Sequence, residues 1–461
     1  MAAAKVLLPS SAALVILFLV LPSSAASGTA DGSEEWGYVE VRPKAHMFWC
    51  LYRSPQRVEN GTAPWPTVLW LQGGPGASGT GYGNFMEIGP LDADLKPRAT
   101  TWLSKADLLF VDNPVGTGFS FVEGRNRSLM ARTDAQAGGD LTALLIELYR
   151  HKTWLQGSPL YIGAIPVVVA ESYGGKFAVT TALAALKAIR QGRLHAKLGG
   201  VALGDSWISP EDSVLSWGPL LYQLSRIDEK GLQQCNSLAQ QIKAQLKAKQ
   251  YAAAEKSWEK LESAVHQHSN NVNFYNILKD NSATDAAAVR KVGYTSYLSS
   301  KATREGGLDG LMNAEVKAKL GVVPQNFTWG EQAGDVFEAL RGDFMNPRIN
   351  EVDELLKLGV EVTIYSGGTR IFTAQLDLIC ATKGTLDWVQ KLKWEGLKKF
   401  TDAPRKPVYC KVGEAAGTQA FVKSYKNLKF YWILGSGHMV PIDNPCPALE
   451  MLGDITHSPA G

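Results

Sequence analysis

Short apolar runs of strand length recur along this chain, the later ones separated by text of helical periodicity. The runs are 67–71 (TVLWL), 107–111 (DLLFV), 159–170 (PLYIGAIPVVVA) and 199–203 (GGVAL), with helical patterns at 134–150 and 176–190. A strand without polar alternation must be covered on both faces, and a helix between two such strands is the crossover that parallel pairing requires. The alternation therefore predicts an α/β chain with a mostly parallel, doubly wound central sheet. Residues 36–52 alternate as a hairpin does. From 214 to 345 the rhythm stops: the text is more polar and helix-rich, with one long amphipathic stretch at 227–265. It resumes with a helix at 350–358, strands at 360–365, about 407–412 and 428–434, and a last helix near 445–453. The expected organisation is one core in two parts, 27–213 and 346–461, interrupted by a helical cap at 214–345.

Composition narrows the function classes. With 461 residues, 45 % hydrophobic and 20 % charged, the chain can bury a large core and is neither disordered, collagen-like nor a coiled coil. A net charge of +3, with no basic stripe beyond Lys398-Lys399 and Arg405-Lys406, argues against nucleic acid as a partner. Residues 1–26 read as a signal peptide: Lys5, then the apolar Ala12–Leu21, then small residues that allow cleavage after Ala25 or Ala26. That apolar core is too short to span a bilayer, which takes roughly 20 residues. The expected route is the secretory pathway, to a secreted or lysosomal destination, with no membrane span. The sequons at Asn60, Asn126 and Asn326 fit that route as glycosylation sites. Five cysteines (50, 235, 380, 410, 446) without C-x-x-C spacing argue against a zinc or dithiol site and allow at most two disulfides with one free thiol.

The chemistry-bearing text begins at Ala170-Glu-Ser-Tyr-Gly174, between an apolar strand and a helix. A serine in a sharp strand-to-helix turn has its hydroxyl forced above the sheet edge, beside the helix N-terminus. Such a nucleophile needs a base, and the base an orienting acid. Of the histidines in the last third, His438 lies in the flexible Gly435-Ser-Gly-His loop after a strand, whereas His457 sits in polar text and reads as surface. Asp377 follows the 360–365 strand in the right window, with Asp387 and Asp402 as further aspartates in polar text. Upstream, Gln72-Gly-Gly-Pro-Gly76 follows a buried strand, and consecutive glycines can turn backbone N–H groups toward a developing oxyanion.

Five motifs together resemble the serine carboxypeptidase family of α/β-hydrolases: WLQGGPG (70–76), FMEIGPL (85–91), FVDNPVGTGFSF (110–121), AESYGGK (170–176) and GHMVP (437–441). The resemblance runs from about 36 to 450, and GNFMEIGPLD, VALGDSWISPEDSVLSWGP, NFYNIL and FVKSYKNLKFYWIL are similar to its retinoid-inducible branch. It implies hydrolysis of C-terminal peptide bonds without metal or cofactor. Ser172 would be the nucleophile, His438 the general base then acid, Asp377 its orienter, and the amides of Gly74 and Tyr173 the oxyanion hole. It implies binding of the substrate carboxylate by Gln72, the Gly73 amide, Glu87 and Glu171. Two adjacent carboxyls cannot both ionise cheaply, so the pair would share a proton and favour acidic pH. A homodimer is left open. The chain departs from the family pattern in three places: about six extra residues at 163–168, an inserted GTRIFTA at 368–374, and GASG (76–79), which lacks a customary cysteine. The two insertions read as mis-spliced intron text in preference to real loops. An esterase or acyltransferase would use the same triad, and a catalytically silent secreted binding protein is the alternative from another class.

Overall fold

The computed structural model describes residues 27–57, 65–152, 155, 166–281, 306–368, 376–410 and 417–458. Its twelve described strands form one sheet. They are β1 (Ser27–Gly28), β2 (Glu34–Arg42), β3 (Ala45–Tyr52), β4 (Thr67–Leu71), β5 (Asp107–Val111), β6 (Phe121–Val122), β7 (Pro166–Glu171), β8 (Gly200–Gly204), β9 (Glu361–Gly368), β10 (Lys406–Val408), β11 (Ala420–Tyr425) and β12 (Leu428–Leu434). The spatial order is β1-β2-β3-β5-β4-β7-β8-β9-β12-β11-β10, with β6 paired to β3. From β5 to β12 every neighbour is parallel, while antiparallel hairpins close both edges.

The apolar runs form the centre because both their faces find cover. Leu69 and Leu71 of β4, Leu109 and Val111 of β5, and Val201 and Leu203 of β8 pack into one core with α1 (Asp134–His151) and α2 (Gly174–Arg190). Val68, Trp70, Leu108, Phe110 and Ala202 alternate onto the other face, against Tyr82, Phe85 and Ile88 and the C-terminal helix Pro445–Thr456. Period-two alternation within an all-apolar run is what lets one strand serve two cores.

Between β8 and β9 the described elements are all helical. α3 (Pro210–Gln223), α4 (Glu229–Lys247) and α5 (Tyr251–Ser269) lead to the helix Gly334–Phe344, and a further helix, Ile349–Lys357, precedes β9. The single amphipathic stretch expected at 227–265 is two antiparallel helices, because Lys249 turns left-handed at φ +56° and reverses the chain. β11 was not expected, and the strand placed at 407–412 is shorter, Lys406–Val408.

Of the at most two disulfides expected, one forms, Cys410–Cys446; the expected single free thiol is corrected to three, all buried: Cys50 on β3, Cys235 on α4 and Cys380 after β9. The extra residues at 163–168 divide: 163–165 lie outside the described residues, and 166–168 open β7. Its register runs unshifted against β4 (Thr67↔Pro166 to Leu71↔Ala170) and β8 (Val167↔Gly200 to Glu171↔Gly204). Pro166 takes the first strand position, where a missing N–H interrupts the ladder least. The insertion at 368–374 begins at the last residue of β9 and otherwise lies outside the described residues, as do the signal peptide and Asn60.

Candidate active site

Parallel strands all end at one edge, so residues just after β7, β8, β9 and β12 become neighbours however distant in sequence. Ser172 follows β7 and holds φ +60°, a left-handed conformation costing a non-glycine residue roughly 1–2 kcal/mol. Its backbone is over-determined: Ser172 N–H donates to Gly204 O at 3.1 Å, and Ser172 O accepts from Trp207 at 2.9 Å and Gly175 at 3.1 Å. α2 starts two residues later, with Tyr173 as its N-cap.

The 72–76 loop is pressed against this turn. A Cβ on Gly73 would fall 2.6 Å from Ser172 Cβ, and Gly74 holds φ +106°. The loop is fastened from behind by Ala333 N–H to Gly76 O (2.9 Å) and Gln332 Nε2 to Pro75 O (2.7 Å). Ser78 Oγ donates to Asp112 Oδ1 at 2.6 Å, and Asp112 also accepts from Thr80 and Phe119. This buried polar knot anchors the GASG segment that lacks the expected cysteine. Tyr173 is fixed on its far side, its hydroxyl donating to Asp134 Oδ1 at 2.7 Å while Lys176 and Arg348 pair with the same carboxylate.

His438 Nδ1 lies 2.9 Å from Asp377 Oδ2, and both side chains are fully buried. The His438 loop follows β12; the Asp377 loop follows β9, and Cys380 N–H donates to Asp377 Oδ1 at 3.2 Å. Both loops are stitched to residues 274–277 of the helical segment. Tyr275 O accepts from His438 N–H (2.9 Å), Phe274 O from Leu378 N–H (2.9 Å), and Leu376 O from Ile277 N–H (2.9 Å). The other acid and base candidates stay outside: Asp387 pairs with Lys383 one helical turn away, Asp402 is exposed, and exposed His457 lies 4.0 Å from Glu361.

Glu87, Glu171 and Gln72 form a second buried group. Glu87 closes an unusual π-helical stretch, Gly79–Ile88, and Glu171 is the residue before the serine. Gln72 Nε2 donates to Glu87 Oε1 at 2.9 Å and Glu171 Oε1 at 3.1 Å, its orientation set by Trp70 Nε1 donating to Gln72 Oε1 at 2.7 Å. The Glu87 and Glu171 carboxyls are thus brought together on one amide in a buried site, where two carboxyls cannot both ionise cheaply and one keeps a proton. Burial is the main cause that raises the Glu87 carboxyl above its ordinary value, and the bonds from Glu171 and Gln72 and the charge of His438 offset only part of it.

Residues that pattern did not single out also line the site. Tyr275 sets its ring 5.3 Å from that of His438. Cys380 is held as a thiol, its pKa pushed up by burial and then by Asp377, Asp205 and Glu171. Ligand atoms of Asp377, Cys380 and His438 lie within 4.8 Å of one another. The Asp377–His438 hydrogen bond and the protonated thiol suit an oriented base, and a metal would have to displace both. Asp205, directly after β8, also reaches Asp377. The signal that could have found it is its position, a polar residue immediately after an apolar strand, like Ser172.

The serine carboxypeptidase model matches residues 22–458. Serine carboxypeptidase-like 51 of Arabidopsis thaliana is 53 % identical over 445 residues, 93 % of each chain. Retinoid-inducible serine carboxypeptidase of Homo sapiens is 45 % identical over 434 residues, 93 % of this chain and 92 % of that one. Among solved structures, Kex1Δp from Saccharomyces cerevisiae, a prohormone-processing carboxypeptidase, superposes with a TM-score of 0.73 at 22 % identity, covering 92 % of this chain and 91 % of that one, which establishes the shared fold. The chain belongs to the serine carboxypeptidase family, peptidase S10, and is a hydrolase with the α/β-hydrolase fold.

Proposed function

We propose that the protein removes C-terminal residues from peptides through an acyl-enzyme on Ser172, with His438 as general base then acid and Asp377 as its orienter. The observation that carries the reading is the buried Asp377–His438 hydrogen bond at the strand edge where Ser172 occupies its left-handed turn. His438 would take the serine proton as Oγ attacks the scissile carbonyl, and return it to the leaving amine. The N–H groups of Gly74 and Tyr173 would receive the oxyanion, and water would release the acyl group by the same route. Gln72, the Gly73 amide and the Glu87/Glu171 pair would hold the substrate's free carboxylate. The protonated partner donates to it, whereas a doubly ionised pair would repel it. Peptidase activity is therefore favoured at acidic pH.

Residues 214–345 act in this reading as a cap whose 274–277 turn braces both acid and base loops. Signal-directed entry to the secretory pathway, to a secreted or lysosomal destination, agrees with the absence of any described helix long and apolar enough to cross a membrane. Asn126 and Asn326 are exposed, as glycan carriers must be, and Asn60 is proposed with them on sequence alone.

The test is labelling of the purified protein by a fluorophosphonate at pH 5, with Ser172→Ala as control, followed by hydrolysis of matched peptides with free and amidated C-termini. Label confined to the native serine, with hydrolysis confined to free C-termini, is the expected result. Turnover of amidated and free peptides alike would favour an esterase or acyltransferase. A folded, unlabelled protein would favour a silent binding role.

A further inference from the structure

Asp205 sits where β8 ends, its side chain buried to 1 % exposure, on a backbone held at φ +36°. Ser366 Oγ donates to Asp205 Oδ1 at 2.8 Å, and the Gly367 N–H lies 3.2 Å from both carboxyl oxygens. Asp205 N–H is itself tied to Tyr365 O at 2.9 Å, so the end of β9 holds the residue by backbone and side chain. The Asp205 carboxyl, held at the β9 end, also faces that of Asp377, the group that accepts from His438. Two buried carboxyls that face one another cannot both ionise cheaply, so one of them keeps a proton. Asp377 must stay ionised to orient an imidazole, so the proton belongs on the other member.

We propose that Asp205 is a positioning residue: its protonated carboxyl donates a hydrogen bond to the Asp377 carboxylate and fixes the orientation Asp377 presents to His438. The proposal rests on the Ser172–His438–Asp377 reading and extends it by one residue. It leaves the site with two proton-sharing carboxyl pairs, one toward the substrate carboxylate and one behind the base. Burial first, and the Asp377 charge second, push the Asp205 carboxyl well above its ordinary range, which keeps the proton in place at acidic and neutral pH. The titratable groups facing it are Asp377, the Tyr365 phenol and the Cys380 thiol; both of the latter are pushed up by burial and in part by Asp205, so they stay neutral. Ser366 and Thr382 add only hydroxyls. As pH rises through the Asp205 value, the proton leaves, two carboxylates face one another, and Asp377 is driven from its position.

The experiment is the rate of fluorophosphonate labelling from pH 5 to 9 for the native protein, Asp205→Asn and Asp205→Ala. This probe does not engage the Glu87/Glu171 pair. Asparagine keeps both functions, Oδ1 accepting from Ser366 and Gly367 and Nδ2 donating to Asp377, yet has no proton to lose. The expected result is an Asp205→Asn rate within about threefold of native at pH 5 and sustained at alkaline pH where the native rate falls. Asp205→Ala is expected to be at least about tenfold slower at every pH. A folded Asp205→Ala variant labelled at the native rate overturns the proposal. So does an Asp205→Asn variant as slow as Asp205→Ala, or one whose alkaline limb coincides with the native. Should Asp205→Ala not fold, the Asp205→Asn comparison decides alone. Native labelling abolished by Ser172→Ala keeps a failure here separate from a failure of the triad, whereas an unlabelled native protein overturns both.

Discussion

In the proposed reading, a single proton shared by Glu87 and Glu171 separates a site that attracts an anionic chain terminus from one that repels it. Glu87 has its carboxyl raised, so the proton is held below that value and lost as pH climbs through it. Glu87→Gln keeps a donor toward the substrate and removes the titration. The kcat/KM profile for peptides with a free C-terminus is expected to extend to higher pH in this variant, with turnover of a blocked ester changed by no more than about threefold. An unmoved alkaline limb would exclude the pair from carboxylate binding. Gly73→Ala addresses the neighbouring constraint. Its methyl would lie 2.6 Å from Ser172 Cβ and, on the backbone, 2.8 Å from Glu171 O and 2.9 Å from Tyr173 N, in a turn that hydrogen bonds hold in place. A loss of about 10²-fold in kcat/KM is expected, read also as slowed fluorophosphonate labelling. Ser172 was legible because its setting, apolar strand then helix, is local in sequence. Asp377 was favoured over Asp387 and Asp402 by its place soon after the 360–365 strand, the other two lying in polar text, and its role came only from the family resemblance. What distinguishes Asp377 is complete burial beside His438, produced by pairing of strands far apart in the chain.

The 274–277 turn contributes through its backbone, by accepting from the His438 loop and exchanging hydrogen bonds with the Asp377 loop. Asn273 holds that turn in shape, its Oδ1 accepting from Tyr275 N–H at 2.9 Å and Asn276 N–H at 3.0 Å. Asn273→Ala leaves those donors without their acceptor, which costs about 1–3 kcal/mol. The variant is expected to show a lower Tm and a kcat reduced by about tenfold with KM little changed, since base and acid shift while the carboxylate pocket does not. Unaltered kcat in a destabilised variant would show the turn to be a structural prop only. Elements were legible where periodicity was clean: β4, β5 and β12 fall where the apolar runs place them. β11 escaped because its polar, half-exposed residues (AFVKSY) follow an edge strand's pattern. α4 and α5 merged because their amphipathic rhythm continues through the left-handed residue that separates them. The Gly79–Ile88 stretch escaped because its glycines, such as Gly83 against the Trp70 ring, reflect close packing and not helical propensity.

Over the whole molecule, buried acids outside the site tilt stability toward low pH. Glu255 on α5 is pushed up to about 7, chiefly by burial and then by Glu259, with Arg341 only partly offsetting them. Asp107 at the start of β5 is raised to about 6, again by burial, against bonds from Ser54 and Arg57. Each has a folded pKa above its unfolded one, so its stabilising contribution is full below the unfolded value and lost as pH rises through the folded one. Tm is expected to be higher at pH 5 than at pH 8, and Glu255→Gln to flatten that difference; a Tm that rises toward pH 8 would contradict it. The run of helices described between β8 and β9 corresponds to a change of rhythm in the sequence. That interruption has a consequence for synthesis. Ser172 leaves the ribosome with the first part of the sheet, whereas Asp377 and His438 belong to β9 and β12, made only after the helical segment. On the proposed triad, a nascent chain therefore carries a serine with no base to activate it. A ribosome-bound fragment ending before β9 is expected to ignore a fluorophosphonate, so the peptidase stays silent beside other unfolded chains until its own fold closes.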